Sequence, residues 1–511
     1  MNIPYQTLSR RLATLCGGLL VLAACQQDFL EEKPYDFISS DNFFKSETDA
    51  RAAVVATYEP LKNLSVAAIN LGDVAADVGD HYLYVAGTSI QQIENLNYTA
   101  NDNDIRDWYS NNYSIINRAN TCLEAIPAVK MDEGRKEGLL AECKFLRALA
   151  YFNLVRAFGP VAMPLQPIKT LKGIELPRTP EAEVYEQIIK DLTESEEPLP
   201  KEWRNASATG AAEANTGRAT RGAAKALLAK VYLFRKQYQL TVDKTGEVMG
   251  LGYGLFENYR DAFVPETKNG KEHIFSIQYE ANQALRGQGS PVARWTTACC
   301  SKILNTNQWS QAGVSGRWKG TIPDHYRKSI VSADRWIDQN GNVADTWAGP
   351  AASKYWNTGP VNLADGTTSE NFPLLRYADV LLMRAEALNA LGGPTPEAVG
   401  LVNQVRQRAR RVYEWPDEKT KTTMVFVRED ADALPDVPAD VTQAELQAII
   451  VQERGIEFAT EGQRKWDLVR WGLFLDVMKD YRPNVDERHL LYPLPQVEVS
   501  LNKSWQQNFG Y

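Results

Sequence analysis

Along most of this chain apolar residues recur every three or four positions, and that period predicts helices. From Ser40 to Lys62 the apolar face is Ala50, Val54, Thr57 and Leu61. A second helix is expected over Trp108–Ile126. A third, over Glu137–Phe158, carries Leu139, Cys143, Leu146, Ala150 and Leu154 and ends at Gly159-Pro160. Thr179-Pro180 reads as an N-cap followed by proline at the first helical position, with Val184, Ile188 and Leu192 behind it. Thr216–Leu240 adds a helix rich in small residues, among them Ala219, Ala223 and Ala226. The same texture returns over Leu374–Leu391, which Gly392-Gly393-Pro394 terminates. Thr395-Pro396 then opens a partner helix through Val399, Val402 and Val405. Helix pairs of roughly 34 residues with such small positions predict a tetratricopeptide-like repeat scaffold.

The last strong segment, Thr442–Gly472, is expected as one continuous helix. Thr442 and Glu445 form a capping box. Leu446, Ile449, Ile450, Ile456 and Phe458 follow the helical period, and Gly472 is placed to end it. Arg454–Glu457, Glu461–Arg464, Arg464–Asp467 and Asp467–Arg470 stand three residues apart. That spacing predicts weak pairs on a solvated face.

Two regions break the period. Leu71–Ile105 is irregular, with Gly72, Gly79, Gly87 and many Asn and Asp residues. A loop of that length inside a compact domain is usually functional or disordered. Between 257 and 372 Gly, Ser, Thr, Asn and Trp rise. There His273–Tyr279 alternates like a strand, and Asn340-Gly341 predicts a hairpin turn. The fold class expected is therefore mainly α, a helical scaffold with an irregular, loop-rich insertion carrying a few short strands.

Composition adds the compartment. The 511 residues are 44% hydrophobic and 23% charged, as in ordinary globular proteins. Arg10 and Arg11 precede an apolar run, Leu12–Ala24, too short to span a bilayer and laid out like a secretory signal. It ends in Leu22-Ala23-Ala24-Cys25, similar to a bacterial lipobox. Residues 1–24 are thus read as a leader, Cys25 as the lipidated residue, 25–36 as a tether and 37–511 as one domain. Two or more acyl chains on Cys25 meet the requirement for stable anchoring. Without Arg10 and Arg11 the net charge of −8 becomes 54 − 64 = −10. That balance argues against nucleic acid and against polyanions held by bulk charge. Cys122 and Cys143 lie on successive helices and are expected either to meet or to stay as buried thiols. Adjacent Cys299-Cys300 have no metal or redox spacing.

The order of residues in ERGIEFATEGQRKWDLVRWG resembles the C-terminal signature of the SusD/RagB family of surface nutrient-binding lipoproteins. Glu453, Arg454, Glu457, Phe458, Glu461, Gly462, Arg464, Asp467, Leu468, Arg470, Trp471 and Gly472 match it. Gly455 departs from the usual arginine. Trp108, Tyr113, Ile116, Ala119 and Asn120, then Arg147, Ala148, Tyr151, Phe158, Gly159 and Pro164, resemble further family strings. So do Pro493, Pro495, Asn502 and the closing Gln507–Tyr511, where Phe509 replaces a proline. The resemblance implies a long structural helix over the signature and a C-terminal signature region over about 373–511. It also implies capture of an extracellular oligosaccharide or polysaccharide, and delivery to a SusC-like TonB-dependent transporter of the outer membrane.

No catalytic frame is legible. His81, His273, His325 and His489 are scattered, and no phosphate loop, G-x-S-x-G or zinc motif occurs. No cofactor and no metal are expected; Asp102-Asn103-Asp104 and Asp338-x-Asn340 read as loop solvation and a turn. A flat Trp or Tyr offers a rigid apolar surface to a sugar ring, while polar neighbours bind the hydroxyl rim. The ligand-binding candidates are therefore Tyr82 and Tyr84, beside Asp80 and His81, and Trp309 and Trp318 in the insertion. The resemblance implies ligand contacts from these same two regions. A peptide-binding member of the family and a surface glycosidase on a helical frame stay open as alternatives.

Overall fold

A computed structural model describes residues 43–82, 88–168, 175–201, 204–206, 212–214, 217–281, 287–296, 311–333, 335–337, 343–345, 352–355, 367–414 and 424–511. The expected leader, Cys25 and tether fall outside these residues, as do Tyr84, Trp309 and Cys299-Cys300.

Helix α1 (Glu47–Tyr58) starts at a capping box between Ser46 and Asp49, and its inner face is Ala50, Val54 and Thr57. Pro60 turns the chain into a 3₁₀ segment, and α2 (Leu64–Ile69) runs into a π-helical turn at Asn70–Val74. The loop expected irregular holds two short elements, β1 (Gly79–His81) and α3 (Ser89–Glu94). Asp102 caps α4 (Asn103–Ala125) by accepting from the backbones of Asp104 and Ile105. The cluster Asp102-Asn103-Asp104, expected as loop solvation, is thus the start of a helix. Then come α5 (Glu133–Phe158) and α6 (Glu181–Glu196), the latter capped by Pro180 with no side-chain bond, one residue later than expected.

Strands β2 (Arg204–Ala206) and β3 (Ala212–Ala214) pair with each other. The helix expected over Thr216–Leu240 is two: α7 (Arg221–Phe234), capped by Thr220, and α8 (Tyr238–Met249). Between them Lys236 takes a left-handed φ of +56°, which reverses the chain. In the insertion β4 (His273–Ile277), α9 (Val292–Thr296), β5 (Ala312–Val314), α10 (Gly316–Lys319) and α11 (Tyr326–Val331) follow. Strands β6 (Arg335–Ile337) and β7 (Val343–Asp345) pair antiparallel, as the Asn340-Gly341 signal predicts, although the turn itself lies outside the described residues. Strand β8 (Phe372–Arg376) pairs with β4 and leads into α12 (Tyr377–Gly392). Thr395 caps α13 (Pro396–Ala409), and a hairpin of β9 (Arg411–Glu414) and β10 (Val425–Glu429) precedes the signature.

Successive helices pack side by side: α4 on α5, α5 on α6, α6 on α7, α7 on α8, then α8 on α12 and α12 on both α13 and the signature helix. Ala223, Ala224, Ala226, Ala378, Ala385 and Ala398 are buried at these contacts, where small side chains permit close approach. The scaffold is mainly α, with strands only in two-stranded pairs among the described residues. Cys122 and Cys143 are both buried, unoxidised thiols in the core between α1, α4 and α5.

The signature is not one helix. It divides into α14 (Gln443–Phe458) and α15 (Arg464–Trp471), and α15 ends at Gly472 in the left-handed conformation. Between them Thr460 (φ +65°) and Gly462 (φ +72°) turn the chain. A β-carbon on Gly72 would lie 2.2 Å from the Gly462 carbonyl oxygen, so two backbones touch here and neither position has room for a side chain.

Nor do its charges face solvent. Of the four local pairs expected, Asp467–Arg470 forms, at 2.8 Å. The other charges turn inward to distant partners. Glu457 is fully buried and accepts from Arg327 (2.8 Å), Arg376 (3.0 Å) and Arg408 (2.5 Å). Glu461 holds Arg376 and Lys354, and Arg454 bridges Asp379 and Asp467. Burial alone would raise the Glu457 carboxyl, but the guanidinium groups of Arg408, Arg376 and Arg327 hold it well below the usual range. At Gly455 a β-carbon would stand 2.9 Å from the Arg464 guanidinium, so Arg464 fills the space beside the departing residue.

Candidate functional site

The turn between α14 and α15 fixes the segment that leads into β1. The Asp73 carboxylate accepts from three backbone N–H groups, those of Gly462 (2.7 Å), Gln463 (3.1 Å) and Arg464 (3.1 Å). It caps α15 from across the chain. Burial nevertheless pushes its carboxyl up to about 7. Asp77 takes a bidentate bond from Arg464, 2.8 Å at each oxygen. Two residues later the chain enters β1.

Strand β1 pairs antiparallel with β5, with Gly79 opposite Val314, Asp80 opposite Gly313 and His81 opposite Ala312. The ladder extends past both ends. Ser315 N–H donates to the Val78 carbonyl at 2.9 Å, and Tyr82 N–H to Gln311 at 3.3 Å. The Tyr82 hydroxyl bonds the Val314 carbonyl. This pairing joins the early loop to the insertion, the two regions that the sequence singled out separately.

Around the pair the polar groups are ordered. Arg482 bridges Asp80 (3.1 Å) and Glu94 (3.0 Å). The guanidinium of Arg317 lies 4.7 Å from the ring centre of Tyr481 and bonds the Asp480 carbonyl. The Trp295 indole N–H donates to Asn70 at 3.0 Å, and Asn70 in turn donates to Asp104 at 3.2 Å. His81 is half-buried; desolvation lowers its pKa, and its Nε2 has no hydrogen-bond partner among the described residues. A neutral imidazole with a spare ring nitrogen, a tyrosine, a carboxylate and two arginines thus share one neighbourhood.

Of the six expected ligand residues, Asp80, His81 and Tyr82 come together at this edge. Tyr84 and Trp309 lie outside the described residues; each is two residues along the chain from a member of the Tyr82–Gln311 bond. Trp318 goes elsewhere. It is 6% exposed and packed in the main core, where α10 carries it inward beneath the Ser315 cap. Its large ring fills core space and leaves no face for a ligand. Gln311, Arg317 and Trp295 of the insertion reach the edge instead. Tyr481 and Arg482 had no signal of their own in the sequence. No group of three or more His, Cys, Asp or Glu suited to a metal ion occurs among the described residues.

The N-terminal part of the chain, residues 28–233, matches a family described as "Starch-binding associating with outer membrane". Residues 301–511 match the family described as the SusD family. This chain belongs to the SusD/RagB family. It is 29% identical to SusD-like protein P2 of Formosa agariphila over 526 aligned positions, covering 96% of this chain and 97% of that one. It is 24% identical to the starch-binding protein SusD of Bacteroides thetaiotaomicron, covering 73% and 72%. Among solved structures, a laminarin-binding SusD-like protein superposes with a TM-score of 0.73 at 26% identity, over 92% of this chain and all of that one. No helix among the described residues is long and apolar enough to cross a membrane.

Proposed function

We propose that this SusD/RagB member is a glycan-binding protein of the outer-membrane surface, which captures an oligosaccharide and passes it to a SusC-like TonB-dependent transporter. The observation that carries the reading is the β1–β5 pairing. It sets Asp80, His81 and Tyr82 against the insertion and holds them on a rigid frame, so that a sugar finds its contacts already in place. Tyr82, with Tyr84 and Trp309 close by in sequence, would supply ring surfaces; Asp80, His81, Gln311 and Arg317 would meet hydroxyls. Binding and release need no bond made or broken. The family description that associates residues 28–233 with starch and the outer membrane supports the same reading, as does the laminarin bound by the relative of known structure. The leader and Cys25 would export and anchor the chain through lipid, with residues 26–36 as the tether.

The test is a glycan-array and affinity-gel screen on the soluble protein beginning after Cys25, beside Tyr82→Ala and Trp309→Ala. Binding of at least one glycan, weakened ten-fold or more by either substitution, supports the reading. Strong peptide binding with an empty glycan panel would replace it with the peptide-binding alternative. Hydrolysis abolished by a single carboxylate substitution would replace it with the glycosidase.

A further inference from the structure

On the far side of α4 lies a groove of about 760 Å³, within the range of ligand-binding clefts. Its walls are α4, the stretch from Ala162 to Ile168, the start of the segment at 175, and the C-terminal helix α16 (Gln496–Leu501) with the turn behind it. The groove is separate from the β1–β5 edge. Asp104 and Asn111 of α4 bond Asn70 and Asn63, on the side of the first site. Among the residues of α4 that line the groove, Tyr109 and Tyr113 stand roughly 140–180° round the helix from Asp104 and Asn111.

Three aromatic side chains form its floor and are held still. The Tyr113 hydroxyl donates to the Ala162 carbonyl at 2.7 Å, and the Trp505 indole N–H to the Leu176 carbonyl at 2.8 Å. Tyr109 lies against Tyr113 with ring centres 4.6 Å apart. The polar ends of Tyr113 and Trp505 are spent on the backbone, so their rings are what a ligand meets, with the buried Tyr109 packed behind Tyr113. Above them the half-buried Glu498 carboxylate has no hydrogen-bond or ion-pair partner among the described residues, and burial raises its pKa. The other titratable groups near it are Tyr109 and Tyr113 of α4, Glu175, and Arg178, whose positive charge acts on both tyrosines. Leu501 and Ile168, on its rim, are 68% and 50% exposed, a large apolar display for a surface with nothing to cover.

We propose that this groove is a second saccharide site. The apolar C–H face of a ring would lie on Tyr113 and Trp505, and its hydroxyls would donate to Glu498. The inference rests on the reading that the protein binds glycan, but not on where the first site lies.

The experiment is hydrogen-exchange mass spectrometry with parallel equilibrium binding on the protein beginning after Cys25. The probes are neutral glucan hexasaccharides with β-1,3, β-1,4 and α-1,4 linkages. One of them should protect residues 109–117 and 496–505, and this protection should survive Tyr82→Ala. Glu498→Lys should weaken it at least ten-fold, and Ser114→Trp should block it. Because Glu498 holds no partner, Glu498→Lys should melt with the wild type, which separates lost binding from lost fold. Protection confined to residues 79–95, or groove protection indifferent to both Glu498→Lys and Ser114→Trp, overturns the second site alone. Binding of no hexasaccharide anywhere overturns this inference and the glycan reading together.

Discussion

Glu457→Gln is the substitution that probes the frame most directly. Glu457 is fully buried and bonds three arginines. Its cluster joins Arg327, Arg376, Arg408 and Lys354 to Glu272, Glu453, Glu457 and Glu461, four cations to four carboxylates. Glutamine keeps the shape and removes one negative charge, which leaves a net positive charge in a water-free interior. Breaking one partner of such a buried pair costs about 3–5 kcal/mol, because the remaining charge is stranded. For a chain of this length the unfolding entropy is about 1 kcal/mol/K, so the cost corresponds to a fall of roughly 3–5 °C in Tm. Calorimetry at pH 7 measures it, with Glu59→Gln as control: Glu59 pairs with Arg118 at 3.2 Å, but both side chains are more than 40% exposed, and such pairs contribute at most about 1 kcal/mol. The pH dependence fixes the sign. The folded pKa of Glu457 is depressed, so its stabilisation is present above the unfolded carboxylate value of about 4.3 and is lost as pH falls through the lower folded value. The gap between wild type and variant should therefore be full at pH 7 and close on acidification. A Glu457→Gln variant that melts like Glu59→Gln at pH 7 would refute the claim that the signature charges hold the core.

Two further outcomes test the same interior. Lys465 is fully buried, its ammonium nitrogen 3.5 Å from the ring centre of Tyr492 and 3.4 Å from the Tyr98 hydroxyl, and it bonds no carboxylate among the described residues. Burial drives its pKa well down, so the unfolded chain holds more protons than the folded one below the normal lysine value. Lys465→Met should raise stability by about 1–3 kcal/mol at pH 7, an advantage that shrinks as pH rises towards 10; a destabilised variant would contradict this. Gly72→Ala puts a β-carbon into the Gly462 carbonyl. It should cost about 1–3 kcal/mol, as overpacking does, and weaken glycan binding by displacing β1; an unchanged Tm by scanning fluorimetry would remove the close approach from the argument.

The helices were legible because burial leaves a period. Ala50, Val54 and Thr57, or Val399, Val402 and Val405, carry it in a few residues, and Ser46, Thr395 and Thr442 cap where local chemistry asks. The signature turn was not legible, because charges three residues apart continue from Glu461 to Arg470, although Gly462 is itself a poor helix former. What breaks the run is a tertiary contact, Gly72 against Gly462. The charge pattern misled for a related reason. Spacing reports what can meet along one helix, whereas Arg376, Arg327 and Asp77 belong to distant segments and outcompete the local partners. Trp318 failed as a ligand platform because composition says only that a region is rich in tryptophan. Which indole turns inward is decided by packing.

The parts of the chain that most clearly mark the family are also the parts that hold the candidate face in place. Asp73 and Asp77 are bound by the α14–α15 turn, and β1 begins at Gly79. From the insertion, Lys354 reaches the Glu457 carbonyl and Glu461, Tyr355 reaches Thr460, and Arg327 reaches Glu453 and Glu457. Both regions that meet at the β1–β5 edge are therefore tied to the signature, the early loop through the α14–α15 turn and the insertion through the buried ionic cluster. On the glycan-binding reading, this anchoring lets the candidate face change in sequence while its point of attachment stays rigid. It also explains why the signature is readable in the sequence and the ligand is not: the charges that fix the frame are set by the fold, whereas the surface offered to a sugar is constrained only by what it binds.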